Sequence, residues 1–263
     1  MNKITSLNIP KSLDIRRLNF DESILVSHQP EFLPWLGFIS KAAMGDAFFI
    51  LDNVQFRKEG FQNRNKIRVH DSKGWQWLTI PILTKGKSTQ KISEVNINNT
   101  ENWKKSHLTS LKLSYAKSPH FKQIYDEVES IYDKSDYIKL IDFNTSIIQY
   151  AFKKFKINIP IFRTSELLLK GYDVSGTKSD LEINLCKIMN ATLFVFGQYG
   201  RTYIEKEKFQ KNKIKFVFQD FRHPTYKQIH GKFLSEMSFL DLLFNYGDES
   251  YKIIQSHSNY KLE

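Results

Sequence analysis

A chain of 263 residues, 41% hydrophobic and 14% aromatic with 21 Phe and 12 Tyr, is long enough for one large core and too apolar to be disordered. The formal charge of +11 and a pI near 9.4 favour acidic partners such as nucleic acid, anionic lipid or phosphorylated small molecules, although scattered lysines also read as solvated helix faces. The single cysteine, Cys186, excludes an internal disulfide or a Cys-rich zinc site and reads as a core thiol. No apolar run is long enough to span a bilayer and the first 20 residues lack a signal-peptide apolar region, so a cytoplasmic location is expected.

Residues 1–22 read as an N-terminal tail, with order expected from Ser23. SILVSH is a short β-rich run, PEFLPWLG a turn into a helix, and AFFILD a second apolar run, all without the alternation of a half-exposed sheet. Near-continuous apolar strands joined by a helix predict a parallel sheet covered on both faces. WQWLTIPI reads as a third strand, and KISEVNI, alternating at Ile92, Val95 and Ile97, as an exposed edge strand.

Between about 100 and 157 the pattern turns helical, with Trp103, His107, Leu111 and Tyr115 spaced as on one helix face and Phe121, Tyr125, Val128 and Tyr132 on another. Three helices are predicted, the second opened by Ser118 and Pro119. Beyond Pro160 the β, α, β order returns: IFRTS, a helix whose Ser179 and Glu182 have capping-box spacing, then the strands TLFVFG and KIKFVFQDF. The fold class is therefore α/β, a mostly parallel Rossmann-like sheet within a single domain over 23–250, with a helical insertion at about 100–157 and a C-terminal tail at 251–263. A layout of two sequential domains is the alternative.

Four polar clusters fall at predicted strand ends, where open α/β sheets bind ligands. His28 and Gln29, with Trp35 just after, follow the first strand; a histidine there acts as a general base, binds phosphate, or merely holds its loop. DNVQFRKEGFQNRNKIR carries five Arg or Lys, and its Gln55, Asn63 and Arg64 suit a polar phosphorylated ligand, unless the segment is a solvated loop. GQYGRTYI sets Gly197 and Gly200 beside Tyr199, Arg201 and Tyr203, with neither a dinucleotide fingerprint nor a Walker spacing. FRHPTYKQIHGKF places His223, Tyr226, Gln228 and Gly231 in a loop that either secures itself or faces a cleft. In SEMSFLDLLFNYG, Ser238 and Asp241 read as helix caps and Gly247 as the helix stop. No metal-ligand spacing and no GxSxG elbow occurs, so no metal and no named cofactor is implied.

Taken in order, SHQPEFLPWLGFISK, DNVQFRKEGFQNRNKI, WLTIPI, YGRTYI, FQDFRHPTYKQIHGKF and LSEMSFLDLLFNYG resemble the WbqC-like family along residues 23–247. The lysine and amide content of the 57–68 stretch departs from that pattern, which removes Lys58 and Lys66 as site candidates. The resemblance implies a role in bacterial surface polysaccharide, particularly O-antigen and lipopolysaccharide biosynthesis, and as substrate a nucleotide-linked sugar, often an amino sugar that receives an acyl or aminoacyl group from a second donor. A transferase is what it implies. On that reading Arg57 and Arg64 meet a diphosphate, Gln29, Asn63 and Gln228 read hydroxyls, Tyr199 stacks on a base or sugar, and Trp35, Gln55 and Tyr226 complete the substrate contacts. His28 or His223 takes a proton as the sugar amine attacks. Two readings of other classes compete: a nucleic-acid-binding module, which lacks any recognisable motif, and a non-catalytic scaffold for glycan enzymes.

Overall fold

The computed structural model describes residues 23–86, 89–134, 137–258 and 260–261, the last two by backbone alone. The expected N-terminal tail at 1–22 lies outside the described residues. The chain runs β1 (Ile24–His28), α1 (Leu36–Ala42), β2 (Ala47–Ile50), β3 (Arg64–Arg68), β4 (Trp75–Thr79), α2 (Trp103–Tyr115), α3 (Phe121–Asp133) and α4 (Leu140–Lys154). It continues through β5 (Ile161–Arg163), α5 (Thr164–Leu169), α6 (Ser179–Met189), β6 (Leu193–Phe196), α7 (Lys206–Lys211), β7 (Lys215–Gln219), α8 (Phe239–Tyr246), α9 (Ser250–His257) and β8 (Tyr260–Lys261).

The main sheet has the order β5-β2-β1-β6-β7-β8, with β1–β2, β1–β6, β2–β5 and β6–β7 parallel and β8 antiparallel at the edge. The architecture is thus α/β on a mostly parallel sheet. Continuous apolar strands follow from double cover: Ile24 and Val26 of β1 face one core with Phe38 and Ile39 of α1, while Leu25 faces a second core with Leu181 and Leu185 of α6. A strand alternates faces residue by residue, so only a strand buried on both sides needs every position apolar. The first core also takes up α2, α3, α4 and α8 through Leu111, Val128, Ile148 and Phe244. α9, in the segment expected to be a tail, adds buried Ile254 to it.

Three details differ from expectation. The segment 64–68 is a strand, and with Trp75–Thr79 it forms a two-stranded antiparallel hairpin apart from the main sheet, from Arg64 opposite Thr79 to Arg68 opposite Trp75. Its alternation is polar outward, with Asn65 and Ile67 buried, so the sequence looked like a basic loop. The run 91–97 is not a strand: it makes a single 3-10 turn at Ile92–Glu94, and Ile97 pairs only singly, with Ile82. The three apolar residues point into the core through a turn rather than a pleat. Finally, α3 starts at Phe121, after a turn closed by the Phe121 N–H donating to the Ser118 carbonyl.

Candidate functional site

The connection β1–α1–β2 runs to one side of β1 and over one face, whereas the chain returns through α6 to β6 on the other side and over the opposite face. The strand order therefore reverses between β1 and β6, and their carboxyl ends frame the crevice in which folds of this type bind ligands. Register explains the fork: β1 pairs with β6 only as far as Val26, opposite Val195.

Into that fork reaches Lys41 of α1, 6% exposed, whose Nζ donates to the Ser27 carbonyl at 2.8 Å. Across from it Glu182, in the first turn of α6 and 5% exposed, accepts the Tyr203 hydroxyl at 3.2 Å on Oε1, while its Oε2 is buried without a partner. Burial pushes the Glu182 carboxyl up to about 8, opposed by the charge of Lys41. Burial likewise brings the Lys41 ammonium down to about 8, opposed by Glu182. Two opposite charges feel each other here without forming an ion pair, and both titrate near neutrality, the condition that acid–base chemistry requires.

His28 closes β1. Its Nδ1–H donates to the Gln29 carbonyl at 2.8 Å, which leaves Nε2 as the free lone pair of the neutral ring. Although its side chain is 33% exposed, the ring packs edge-on to Phe38 in desolvated surroundings. That desolvation, helped by the Lys41 charge, lowers its pKa to about 4, so it is neutral and weakly basic at neutral pH. Glu31 lies 4.0 Å away, raised to about 8 by burial, and its Oε2 is also buried without a partner.

Gln29 accepts Gln62 Nε2 at 2.7 Å, and Gln62 Oε1 accepts the Arg57 N–H at 2.9 Å, so the first two sequence clusters meet through Gln62. Arg57 and Gln55 are exposed. Beyond them a cleft of about 270 Å³ is lined by Asn63 and Arg64; Asn63 Nδ2 holds the Ile80 carbonyl at 2.9 Å and its Oδ1 is buried without a partner. Arg64 lies over the Trp77 ring and donates to the Glu59 carbonyl at 2.6 Å. After β6, Gly197 opens on free space, Tyr199 is 86% exposed, and Gly200 is instead a packing residue, since a Cβ there would lie 2.7 Å from the Phe196 side chain.

The fourth cluster is organised differently. Asp241, expected to be a cap, sits at 0% exposure and accepts Tyr115 and Tyr226 hydroxyls at 3.0 and 2.8 Å and Gln228 Nε2 at 2.8 Å. Gln228 is tied further to both the N–H and the carbonyl of Leu234. His223 donates Nδ1–H to the Pro224 carbonyl at 2.9 Å and accepts the Glu236 N–H on Nε2 at 3.2 Å, which leaves its neutral ring no free lone pair. Trp35 touches this region through Phe221. No hydrogen bond or ring contact among the described residues links His28 directly to His223. Ser179 likewise is no cap: its Oγ accepts the Glu205 N–H.

Sequence reasoning missed Lys41, Glu182 and Glu31. Lys41 looked like an ordinary basic residue in the last turn of a helix and Glu182 like a capping glutamate; only the sheet topology brings them to one fork. Cys186 is buried and its thiol pushed well up by that burial, as a core residue. Among the described residues no group of three or more His, Cys, Asp or Glu is placed to hold a metal ion, and no helix is long and apolar enough to cross a membrane.

Fold and topology thus define a mostly parallel α/β protein whose strand order reverses between β1 and β6. A profile of the WbqC-like protein family matches residues 29–253, and the chain belongs to that family. It is 32% identical to the uncharacterized protein Rv1507c of Mycobacterium tuberculosis over 223 residues, 84% of this chain and 93% of that one. No solved structure matches it.

Proposed function

We propose that the protein modifies a nucleotide-linked amino sugar of bacterial surface polysaccharide, transferring an acyl or aminoacyl group to the sugar amine. The observation that carries the reading is the Lys41–Glu182 fork. An ammonium must lose a proton before it attacks an acyl carbon, and a carboxylate with its pKa near 8 is a better acceptor than one in the ordinary range. The lysine opposite supplies positive charge for the oxyanion that forms as the amine adds. His28 offers Nε2 to a substrate hydroxyl or amine, and the buried Asn63 Oδ1 and Gln29 read hydroxyl groups. His223 serves in this reading to position the loop around Asp241.

The test is a screen of the purified chain with UDP-, dTDP- and GDP-amino sugars by thermal shift, followed by acyl and aminoacyl donors with product mass as the readout. Stabilisation by one nucleotide sugar and loss of product in Glu182→Gln support the reading; no stabilisation by any of them at millimolar concentration refutes it.

A further inference from the structure

The turn that joins β3 to β4 and the loop at 230–234 enclose a cleft of about 500 Å³, large enough for a ligand of several rings or a sugar phosphate. Its chemistry is one-sided. Arg68, His70, Lys73, His230 and Lys232 line it, and the one carboxylate in its wall, Asp71, already accepts the Gly74 N–H at 2.6 Å.

Arg68 is 2% exposed, and its Nη groups donate to the carbonyls of Gly74, His230 and Lys232. Gly74 has φ of +75°, and a Cβ there would meet Nη1 at 2.6 Å, so glycine lets the turn close over the guanidinium. Among the described residues no carboxylate lies within ion-pair reach of Arg68, and its Nε is buried with no partner. Asp241 feels its charge, but the hydrogen bonds of that carboxylate go to Tyr115, Tyr226 and Gln228. A buried guanidinium bonded only to carbonyl dipoles, with the Asp241 charge felt but not paired, is an under-compensated cation, and such groups are costly unless paired. His230 donates Nε2–H to the Ser114 carbonyl at 2.7 Å, so its Nδ1 donates to a phosphoryl oxygen only on the doubly protonated ring. Lys73 is held with Nζ 3.8 Å from the Trp75 ring centre.

We infer that this cleft binds a phosphoryl group, as a phosphate ester or diphosphate, at a site separate from the sheet crevice. Lysines from two walls suit a multivalent anion better than a lone carboxylate, and Arg68, its Nη donors already committed to carbonyls, adds charge behind them rather than a fork. The phosphates of single-stranded nucleic acid offer the same charge, but that mode needs open aromatic faces beside the cations. Here Arg64 lies over Trp77, and Lys66 and Lys73 over Trp75, so the indoles are already covered. The compact ligand is favoured.

The test uses the full chain, calorimetry, and NMR of the His70 and His230 rings, with pyrophosphate, inorganic phosphate and glucose 1-phosphate as probes and sulfate as control. Pyrophosphate is expected to shift both rings and to bind more tightly than sulfate. Replacing Lys73 and Lys232 together by alanine at this exposed rim is expected to weaken it about tenfold or more, about 1.4 kcal/mol, with the melting temperature unchanged. Glucose 1-phosphate binding above inorganic phosphate assigns the site to esters, and the reverse order, with pyrophosphate tightest, assigns it to diphosphate; either supports it. Arg68→Lys keeps charge but risks the fold, so the rim pair decides. Pyrophosphate no tighter than sulfate, a double variant with unchanged affinity, or displacement by a random single-stranded oligonucleotide with steep salt dependence overturns the inference. Because the probes need neither Lys41 nor Glu182, a failed transferase assay leaves this result standing.

Discussion

Two buried carboxylates in this molecule have opposite surroundings. Asp241 accepts two tyrosine hydroxyls and a glutamine amide, so burial without an ion pair is answered by hydrogen bonds. Glu182 has one hydroxyl on one oxygen and nothing on the other, facing a lysine it does not touch. A satisfied carboxylate is a structural knot that holds β3, α2, the 226–228 loop and α8 together. An unsatisfied one is left ready for something the protein does not itself contain. The same contrast separates His223, bonded on both nitrogens, from His28, with one free.

Mutation sharpens the comparison. Asp241→Ala strands the Tyr115, Tyr226 and Gln228 donors in the core and is expected to cost about 4 kcal/mol, read as a shift in the urea midpoint at constant slope. A loss below about 1 kcal/mol would mean that the knot is not structural. Glu182→Gln removes a carboxyl that burial disfavours, so stability should hold while turnover in the transfer assay drops about 100-fold or more. A variant that unfolds instead would place Glu182 with Asp241.

A smaller effect concerns pH. His107, bonded to the Thr79 carbonyl and the Tyr132 hydroxyl, is lowered to about 4 by burial. Between its ordinary value near 6.5 and 4 the unfolded chain binds a proton that the folded one refuses, so stability falls as pH drops through that window. His28 acts in the same direction, whereas Glu31 and Glu182, raised to about 8, weaken the fold as pH rises from 4.5. His107→Phe should flatten the acid limb of an unfolding free-energy profile against pH while lowering its plateau by about 1 kcal/mol for the lost hydrogen bonds. An acid limb of unchanged slope would assign it to His28 alone. Smallest of all, Tyr199→Ala at 86% exposure should change stability by less than about 0.5 kcal/mol and act only on ligand affinity.

How far the sequence alone reaches follows the same division. Doubly covered strands such as AFFI announce themselves because every position must be apolar. The hairpin strand RNKIR, with its polar face outward, has no such signature, and its partner was assigned without a place in the sheet. The polar clusters around His28 and Asn63 were legible because both follow predicted apolar strands, but their link through Gln62 is visible only in the fold. Lys41 and Glu182 were not, since each looks ordinary within its own helix and acquires meaning only when the strand order reverses between them. Asp241 looked like a cap because spacing shows the helix start and not the two tyrosines that arrive from elsewhere.

The measurement closest to the central claim is the titration of the Glu182 carboxyl by carbon-13 NMR in the full chain, with Glu182→Gln to assign the resonance. The account predicts an apparent pKa near 8, moving when Lys41 is replaced by Met. A carboxyl that titrates near 4.5, indifferent to Lys41, would contradict it.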